Sequence, residues 1–390
     1  MKFGVLHIAS LAAVAAWSVL IFARGDFWRA VVDDEDARAP SAATKPPSVH
    51  AVVPARNEAE VVGETLPSLL AQAYAGSFDV TLVDDHSDDG TGDVARDLAA
   101  PAQRRGVHVI DAEPLPSGWT GKLWALECGV RAVRASGSTP VYWLFTDADI
   151  RHDETTVARS VARALDERRD LVSYMVLLRA TSGWERLLIP AFVFFFMKLY
   201  PFAWSNDDRR ATAAAAGGCV LISDAALRRI GGLASLRDAL IDDCTLAARV
   251  KGSGGRIWLG LTTRIESVRG YDTLGAIWRM VARSAFTQLD RSWLNVAGTV
   301  AGMTLLYVVP PLAAVTGVIR RDGLLAFSGA VTWTAIGAAY SATLRLYGET
   351  AISGAALPFA AALYTLMTVD SARRSLVGEH GAWKGRSYGA

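Results

Sequence analysis

The chain has 390 residues, of which 51% are hydrophobic and 20% charged, with a net charge of +1 and a mean hydropathy of +0.23. That average is too apolar for a purely soluble protein, and the balanced charge excludes a broad basic field of the kind that holds nucleic acid. Three scattered cysteines (Cys128, Cys219 and Cys244) and six dispersed histidines form no C-x-x-C or H-x-x-x-H pattern. A disulfide framework, a zinc site and a histidine-held metal are therefore excluded, and the thiols read as reduced and packed.

Phe3 to Ala23 is almost entirely apolar and long enough for a membrane helix. It lacks a small-x-small cleavage site, so residues 1–24 are expected to be a retained anchor. Residues 25–47, first charged and then rich in Pro, Ala, Ser and Thr, read as a linker. Val49 to Pro54 is a buried strand running into Arg56-Asn57-Glu58. Asn57 and Glu60 are a capping pair for a helix carrying Val62, Leu66, Leu69 and Leu70. Further strands are expected at Val80–Val83, ending in Asp84-Asp85, at Val107–Ile110, at Val141–Phe145 and at Leu171–Val176. Helical segments lie between them, a β-α-β repeat that predicts a doubly wound α/β sheet. Such sheets bind ligands beyond the carboxyl ends of their strands. The fourth strand ends there in Asp147-Ala-Asp149, which reads as a polar turn or as two carboxylates turned towards one hard cation, Mg²⁺ or Mn²⁺.

Gly121-Lys122 at a helix start suits a diphosphate, or is an exposed turn. The aromatic stretch from Leu187 to Trp204, interrupted by Pro190, Lys198 and Pro201, reads as a membrane-interface segment or a buried core helix. Gly217-Gly218 permits a close approach of backbone to ligand, or a tight turn. Asp242-Asp243 at the mouth of an apolar helix is a helix cap or holds a general base. Lys251-Gly-Ser-Gly-Gly255 is a helix C-cap turn, because no strand precedes it. Residues 271–296 form a basic amphipathic helix with Arg279, Arg283, Gln288 and Arg291. Apolar segments follow at Ala297–Ile319, which contains Pro310-Pro311, at Leu324–Leu344 and at Ala351–Val369. A basic tail, 371–390, ends the sequence.

Val53-Pro-Ala-Arg-Asn-Glu58, Val83-Asp-Asp-His-Ser-Asp-Asp-Gly-Thr91, Gly121-Lys122, Thr146-Asp-Ala-Asp149, Gly217-Gly218 and Ile241-Asp-Asp243 stand in the order found in family 2 glycosyltransferases. The resemblance covers about Val49 to Arg291. With the Trp383-Lys-Gly-Arg-x-Tyr388 tail, the layout is similar to ceramide glucosyltransferases and most similar to hopanoid-biosynthesis glycosyltransferases. The resemblance implies a GT-A domain over 48–270, a doubly wound mixed sheet, with one N-terminal and two to three C-terminal membrane helices. It implies inverting transfer from a nucleoside-diphosphate sugar, expected to be a UDP-sugar, to a membrane lipid hydroxyl. The place implied is the inner membrane of a bacterium, with the catalytic domain cytosolic. Pro54, Arg56, Glu58, Asp85, Lys122 and Gly218 would bind the donor, Asp147 and Asp149 the metal. Asp243 would be the general base, with Asp242 where the family has Glu. The family's Q-x-x-R-W is imperfect: Gln288 and Arg291 fit it, but Trp293 comes one residue late, and Arg279 or Arg283 offers another register.

With the domain in the cytosol, three full C-terminal spans would leave the basic tail outside, against the positive-inside tendency. A first segment that is re-entrant, broken at Pro310-Pro311, repairs this. The competing classes are a processive polysaccharide synthase, which needs more spans and an intact Q-x-x-R-W, a membrane protein with a non-catalytic GT-A-like domain, and a nucleotidyltransferase.

Overall fold

The computed structural model describes residues 4–34, 45–100, 106–377, 382–383 and 386–387. Eight strands form one mixed sheet in the order β3-β2-β1-β4-β7-β6-β8-β5. They are β1 (Val49–Ala55), β2 (Phe78–Asp84), β3 (Val107–Asp111), β4 (Tyr142–Thr146), β5 (Ile150–Arg151), β6 (Leu171–Leu178), β7 (Cys219–Ser223) and β8 (Ile257–Ser267). All five predicted strands form. The sequence reading missed β5, β7 and β8. β7 lies antiparallel between β4 and β6, β8 runs parallel to β6, and β5 runs antiparallel to β8. Every residue of β1 is buried, as expected of an inner strand covered on both faces.

Each face of the sheet has its own core. Val62, Leu66, Leu69, Ala95, Val157 and Val161 cover one face. Leu123, Leu126, Val130, Leu227, Leu246 and Val250 cover the other. The β1–β4 ladder stops at Val52–Phe145, whereas β1 stays paired with β2 as far as Ala55–Asp84. Pro54, which has no N–H to donate, falls just past that stop. The chain winds outward from β1 to β3 and then returns to β4 on the other side, so a crevice opens between β1 and β4 at the topological switch point.

Three local expectations are corrected. The predicted capping pair does not form: Asn57 has φ +52°, and its Oδ1 accepts from the Asp88 N–H at 3.1 Å instead. Part of the supposed linker is docked: the Asp33 N–H donates to Leu261 of β8 at 2.8 Å, and Thr262 Oγ1 donates to Asp34 at 2.6 Å. Residues 35–44 lie outside the described residues. Pro190 does not interrupt its segment, which is one helix, Gly183–Leu199, opened by a capping box of Ser182 and Glu185. Leu188, Val193, Phe194 and Met197 are buried in a third cluster with Trp17, Tyr307, Tyr340 and Met367. Each such side chain contributes about 1.5–3 kcal/mol on burial.

Four helical segments are long and apolar enough to cross a membrane: Val5–Ala23, Trp293–Arg320, Gly323–Leu346 and Ala351–Leu376. Pro310-Pro311 does not break the second. A wide π turn at Thr304–Val308 precedes the prolines, which sit in the first turn of the helix Val309–Arg320. There a missing N–H costs little. His7 meets Asp322 at 2.8 Å and Ser10 meets Ser328 at 2.8 Å, so the start of the first segment lies beside the loop joining the second and third. At the opposite end, by the sheet, Arg24 Nε donates to the Lys198 carbonyl at 3.1 Å and Arg186 pairs with Glu349 at 2.5 Å.

The last segment turns back on itself. Ala351–Ala356 runs back along the third helix, with Trp333 Nε1 donating to the Ala355 carbonyl at 3.2 Å and Gly354 against Gly337. Leu357–Leu376 then returns to the helix Leu274–Gln288, where Trp278 donates to Asp370 at 2.8 Å and the Phe286 N–H to Ser371 at 3.0 Å. Both ends of this hairpin lie on the sheet side. The sequence reading assigned the turning back to the first of the three C-terminal segments; the structure gives it to the last.

Candidate active site

The crevice between β1 and β4 widens into a cleft of about 620 Å³. Pro54, Glu58, Thr120, Lys122, Asp147, Asp149 and Asp242 line it from the strand ends and the helix starts beside them, and Tyr271, Ala276, Arg279, Met280 and Arg283 from the segment that follows β8. Below it an inner pocket of about 20 Å³ holds Asp243 and Gly217 against Lys122 and Asp147.

Asp147 and Asp149 leave the end of β4 through a short turn fastened from behind. Thr65 Oγ1 donates to the Ala148 carbonyl at 2.5 Å, and Thr146 Oγ1 to the Gly218 carbonyl at 2.7 Å. His152 Nε2 lies 2.9 Å from the same Thr146 hydroxyl. Lys122, the second residue of its helix, places Nζ 2.8 Å from Asp147 Oδ1 and 3.5 Å from Asp242 Oδ2. Burial by itself would lower the Lys122 pKa, but the carboxylates of Asp147 and Asp242 raise it well above the usual range, so the ammonium stays charged.

Asp242 and Asp243 are the first two residues of the helix Asp242–Gly252. Asp243 Oδ1 accepts from the Cys244 N–H at 2.7 Å, and Oδ2 from the Gly217 N–H at 2.9 Å. It therefore does part of a cap's work by satisfying one orphan amide. Burial, and then the neighbouring Asp242 charge, push its pKa up to about 6. A carboxyl shifted in this way is a stronger base than an ordinary aspartate.

Two cations that the sequence did not mark as a set face this acid cluster. Arg269, just beyond β8, donates from Nε to Asp149 Oδ2 at 2.9 Å and from Nη2 to Glu58. Its signal in the sequence was a charge at the carboxyl end of a strand, but that strand had not been recognised. Arg279, one turn before Arg283, lines the cleft with it.

The structure thus gathers Pro54, Glu58, Lys122, Asp147, Asp149, Asp242, Asp243 and Arg283. Gly218 lies behind them as the acceptor for Thr146. Arg56 is turned to the backbone carbonyls of Asp85 and His86, and Asp85 is fully buried and does not line the cleft. Gln288 and Arg291 are not brought to the cleft. Gln288 donates to the Tyr200 hydroxyl at 2.7 Å, and Arg291 is exposed beyond the helix end with φ +53°. Of the two registers, the structure brings the Arg279 and Arg283 one to the cleft. Lys384 and Tyr388 of the tail motif lie outside the described residues.

Among the described residues no cluster of three or more His, Cys, Asp or Glu forms a closed metal cage. The donor set still fits a hard divalent cation. Asp147 and Asp149 supply carboxylate oxygens one residue apart, and Asp147 Oδ2 and Asp149 Oδ1 carry no hydrogen bond among the described residues. Such cations commonly complete their shell with water and substrate phosphates.

Among solved structures, a mannosyltransferase from Pyrobaculum calidifontis, in complex with GDP-mannose and Mn²⁺, aligns with a TM-score of 0.54 at 20% identity, covering 93% of this chain and 99% of that one. Glucosyl-3-phosphoglycerate synthase from Mycobacterium tuberculosis aligns with a TM-score of 0.40 at 16% identity, covering 63% and 80%. No curated protein matches. The family described as glycosyltransferase like family 2 matches residues 46–287, well over half of the chain and all of the sheet and cleft. The chain belongs to this family and is a glycosyltransferase with a GT-A-like mixed sheet.

Proposed function

We propose that this enzyme transfers a sugar, with inversion, from a nucleoside-diphosphate sugar to the hydroxyl of a membrane lipid. The observation that carries the lipid acceptor is the part of the cleft that follows β8. Tyr271, Ala276, Arg279, Met280 and Arg283 belong to the segment that leads directly into the membrane-length helix Trp293–Arg320. The carboxylates therefore share the cleft with an element of the membrane interface, and an acceptor can reach them without leaving the bilayer. The Pyrobaculum mannosyltransferase was solved with a nucleoside-diphosphate sugar and a divalent metal, the ligand pair that this acid and base cluster suits.

Asp147 and Asp149 would hold Mg²⁺ or Mn²⁺. The cation would neutralise the charge that develops on the leaving diphosphate. Lys122, kept charged by its neighbours, and the arginines of that segment bind diphosphate oxygens. Asp243 takes the acceptor hydroxyl's proton as the oxygen–anomeric carbon bond forms and the sugar–phosphate bond breaks. Asp242 stays with Lys122 and keeps that ammonium in place. One base opposite the leaving group, with a single displacement, gives inversion. The positive-inside tendency supports a cytosolic cleft, because Arg24, Arg345, Arg373 and Arg374 all lie at the sheet end of the helices. The hopanoid and ceramide glucosyltransferase resemblance makes a hopanoid the first acceptor to try.

The test uses membranes containing the wild type or Asp243→Asn, given labelled UDP- and GDP-sugars with Mg²⁺ or Mn²⁺, and mass analysis of the lipid extract. A glycolipid formed by the wild type alone is the expected result. Labelled sugar recovered only in water-soluble or polymeric product overturns the lipid acceptor.

A further inference from the structure

Arg269 has a role that the proposed donor chemistry does not yet use. Its guanidinium bridges Asp149, the second of the paired carboxylates, and Glu58 on the opposite lip of the crevice. A divalent cation on Asp149 competes with that guanidinium for one carboxylate and repels it at a separation of a few ångström. Among the charges that line the cleft, Lys122 pairs with Asp147 and Asp242 and Arg269 pairs with Asp149 and Glu58, while Arg279 and Arg283 line the same cleft. Adding a cation and a diphosphate to this set leaves Asp149 with two cations, while the diphosphate can take one more beside Lys122, Arg279 and Arg283. Moving a single guanidinium answers both.

The backbone around Arg269 is built so that only the side chain moves. Before it, the Val268 N–H donates to the Asp149 carbonyl at 2.9 Å. After it, the Tyr271 N–H donates to Glu185 Oε1 at 2.6 Å, and Glu185 is fully buried. Gly270 between them packs so close to Arg179 that a Cβ there would lie 1.8 Å from its Nη1. With both neighbours pinned, the long side chain is the only free radius, and it reaches from Asp149 across the cleft it lines.

We propose that Arg269 is an exchangeable counter-cation. It holds Asp149 and Glu58 together until a divalent cation takes Asp149, and then transfers to the donor's diphosphate. The inference rests on the donor and metal reading above. It makes Arg269 a residue that competes with the metal and assists the nucleotide, two effects of opposite sign that a purely structural ion pair does not produce.

The experiment measures binding to the full chain in detergent, without turnover. Mn²⁺ alone is titrated by electron paramagnetic resonance, and UDP and GDP are titrated by calorimetry at saturating Mn²⁺, for the wild type, Arg269→Gln, Arg269→Lys and Asp149→Asn. Arg269→Gln is expected to bind Mn²⁺ about tenfold more tightly, and the preferred nucleoside diphosphate about tenfold more weakly, each a shift of one decade. Arg269→Lys should fall between it and the wild type on both scales. If Arg269→Gln weakens Mn²⁺ and nucleotide together, or leaves both unchanged, the exchange is overturned and Arg269 is a structural tie. The underlying reading fails separately: Mn²⁺ affinity that is unaffected by Asp149→Asn, or a wild type that binds neither nucleotide, removes metal and donor from this site.

Discussion

The carboxyl end of the sheet and the bundle of apolar helices hold together by opposite means. At the sheet end, long charged side chains reach across distant parts of the chain: Lys122 to Asp147 and Asp242, and Arg269 to Asp149 and Glu58. In the bundle the helices meet backbone to backbone. A Cβ on Gly317 would lie 2.2 Å from the Ala326 nitrogen, and one on Gly329 would lie 2.3 Å from the Ala314 nitrogen. Where lipid replaces water, close packing through small residues takes over the cohesive role of hydrophobic burial. The first region is tuned to bind and exchange charge; the second sets where the first one sits.

This contrast can be broken one side at a time. The largest expected effect is Asp147→Ala or Asp149→Ala, which should cut glycolipid formation by about a thousandfold or more, with a lower melting temperature in detergent because Lys122 or Arg269 loses its partner. Mn²⁺ binding that survives either substitution in the folded protein would take the metal away from these carboxylates. Asp243→Asn should reduce turnover by roughly 10²- to 10⁴-fold, and its stability relative to the wild type should rise with pH, although the amide can accept only one of the Gly217 and Cys244 N–H bonds. Its carboxyl is raised from 3.8 to about 6 by burial and Asp242, so the fold disfavours the ionised form. Stability from the protonated group is complete below pH about 4 and lost as pH rises through about 6. The melting gap between variant and wild type should therefore open across that window, and activity should rise across it.

On the bundle side, Gly329→Leu forces two backbones apart and should cost about 3 kcal/mol by thermal or denaturant unfolding, with nucleotide binding per folded molecule unchanged. Glu185→Gln falls where the two regions join. Burial alone would raise this carboxyl, but the N–H groups of Ser182, Tyr271 and Thr181 hold it below its ordinary value. Its stabilisation is present above the unfolded-state value and lost as pH falls through the folded one. The variant should lose about 1–3 kcal/mol near neutral pH and converge with the wild type in acid. The smallest perturbation is a labelling test. Ser375→Cys and Arg29→Cys should react with an impermeant maleimide from one side of sealed vesicles, and Arg321→Cys from the other. The native thiols are all buried, so they give a low background. Ser375→Cys reacting with the Arg321→Cys group would replace the hairpin with a fourth crossing.

Much of the sheet end was legible because chemistry leaves marks in order. An inner parallel strand is a continuous apolar run, and a run that stops at a carboxylate pair locates both strand and site, as at Phe145–Asp149. Antiparallel β7 is a short apolar run, Cys219-Val-Leu-Ile-Ser223, that directly follows a stretch of Ala and Gly and is read with it as a turn. β8 crosses Thr262-Thr263-Arg264 before it ends, and with β8 unseen Arg269 had no place in the site. Motif order left Gln288 with Arg291 and the register of Arg279 or Arg283 both open; the helix stops at Gln288, and it is Arg279 and Arg283, earlier in it, that line the cleft. In the bundle, composition fixed which segments are apolar and long enough, not the path they take. Two prolines looked like a break and are instead a helix start; Gly348, φ +69°, makes the tight turn that leads from the third helix into the last segment, and that segment reverses between Ala356 and Leu357.

The helix Leu274–Gln288 is at once a wall of the cleft and the lead into the bundle. The enzyme is therefore not a catalytic module with a detachable anchor. A chain cut at residue 270 would keep all eight strands and every acidic residue of the site, yet lose Tyr271, Ala276, Arg279, Met280 and Arg283 from the cleft. Grafting this sheet onto another membrane domain would exchange these five cleft residues along with it. A substitution in this helix therefore touches the cleft and the packing of the bundle together.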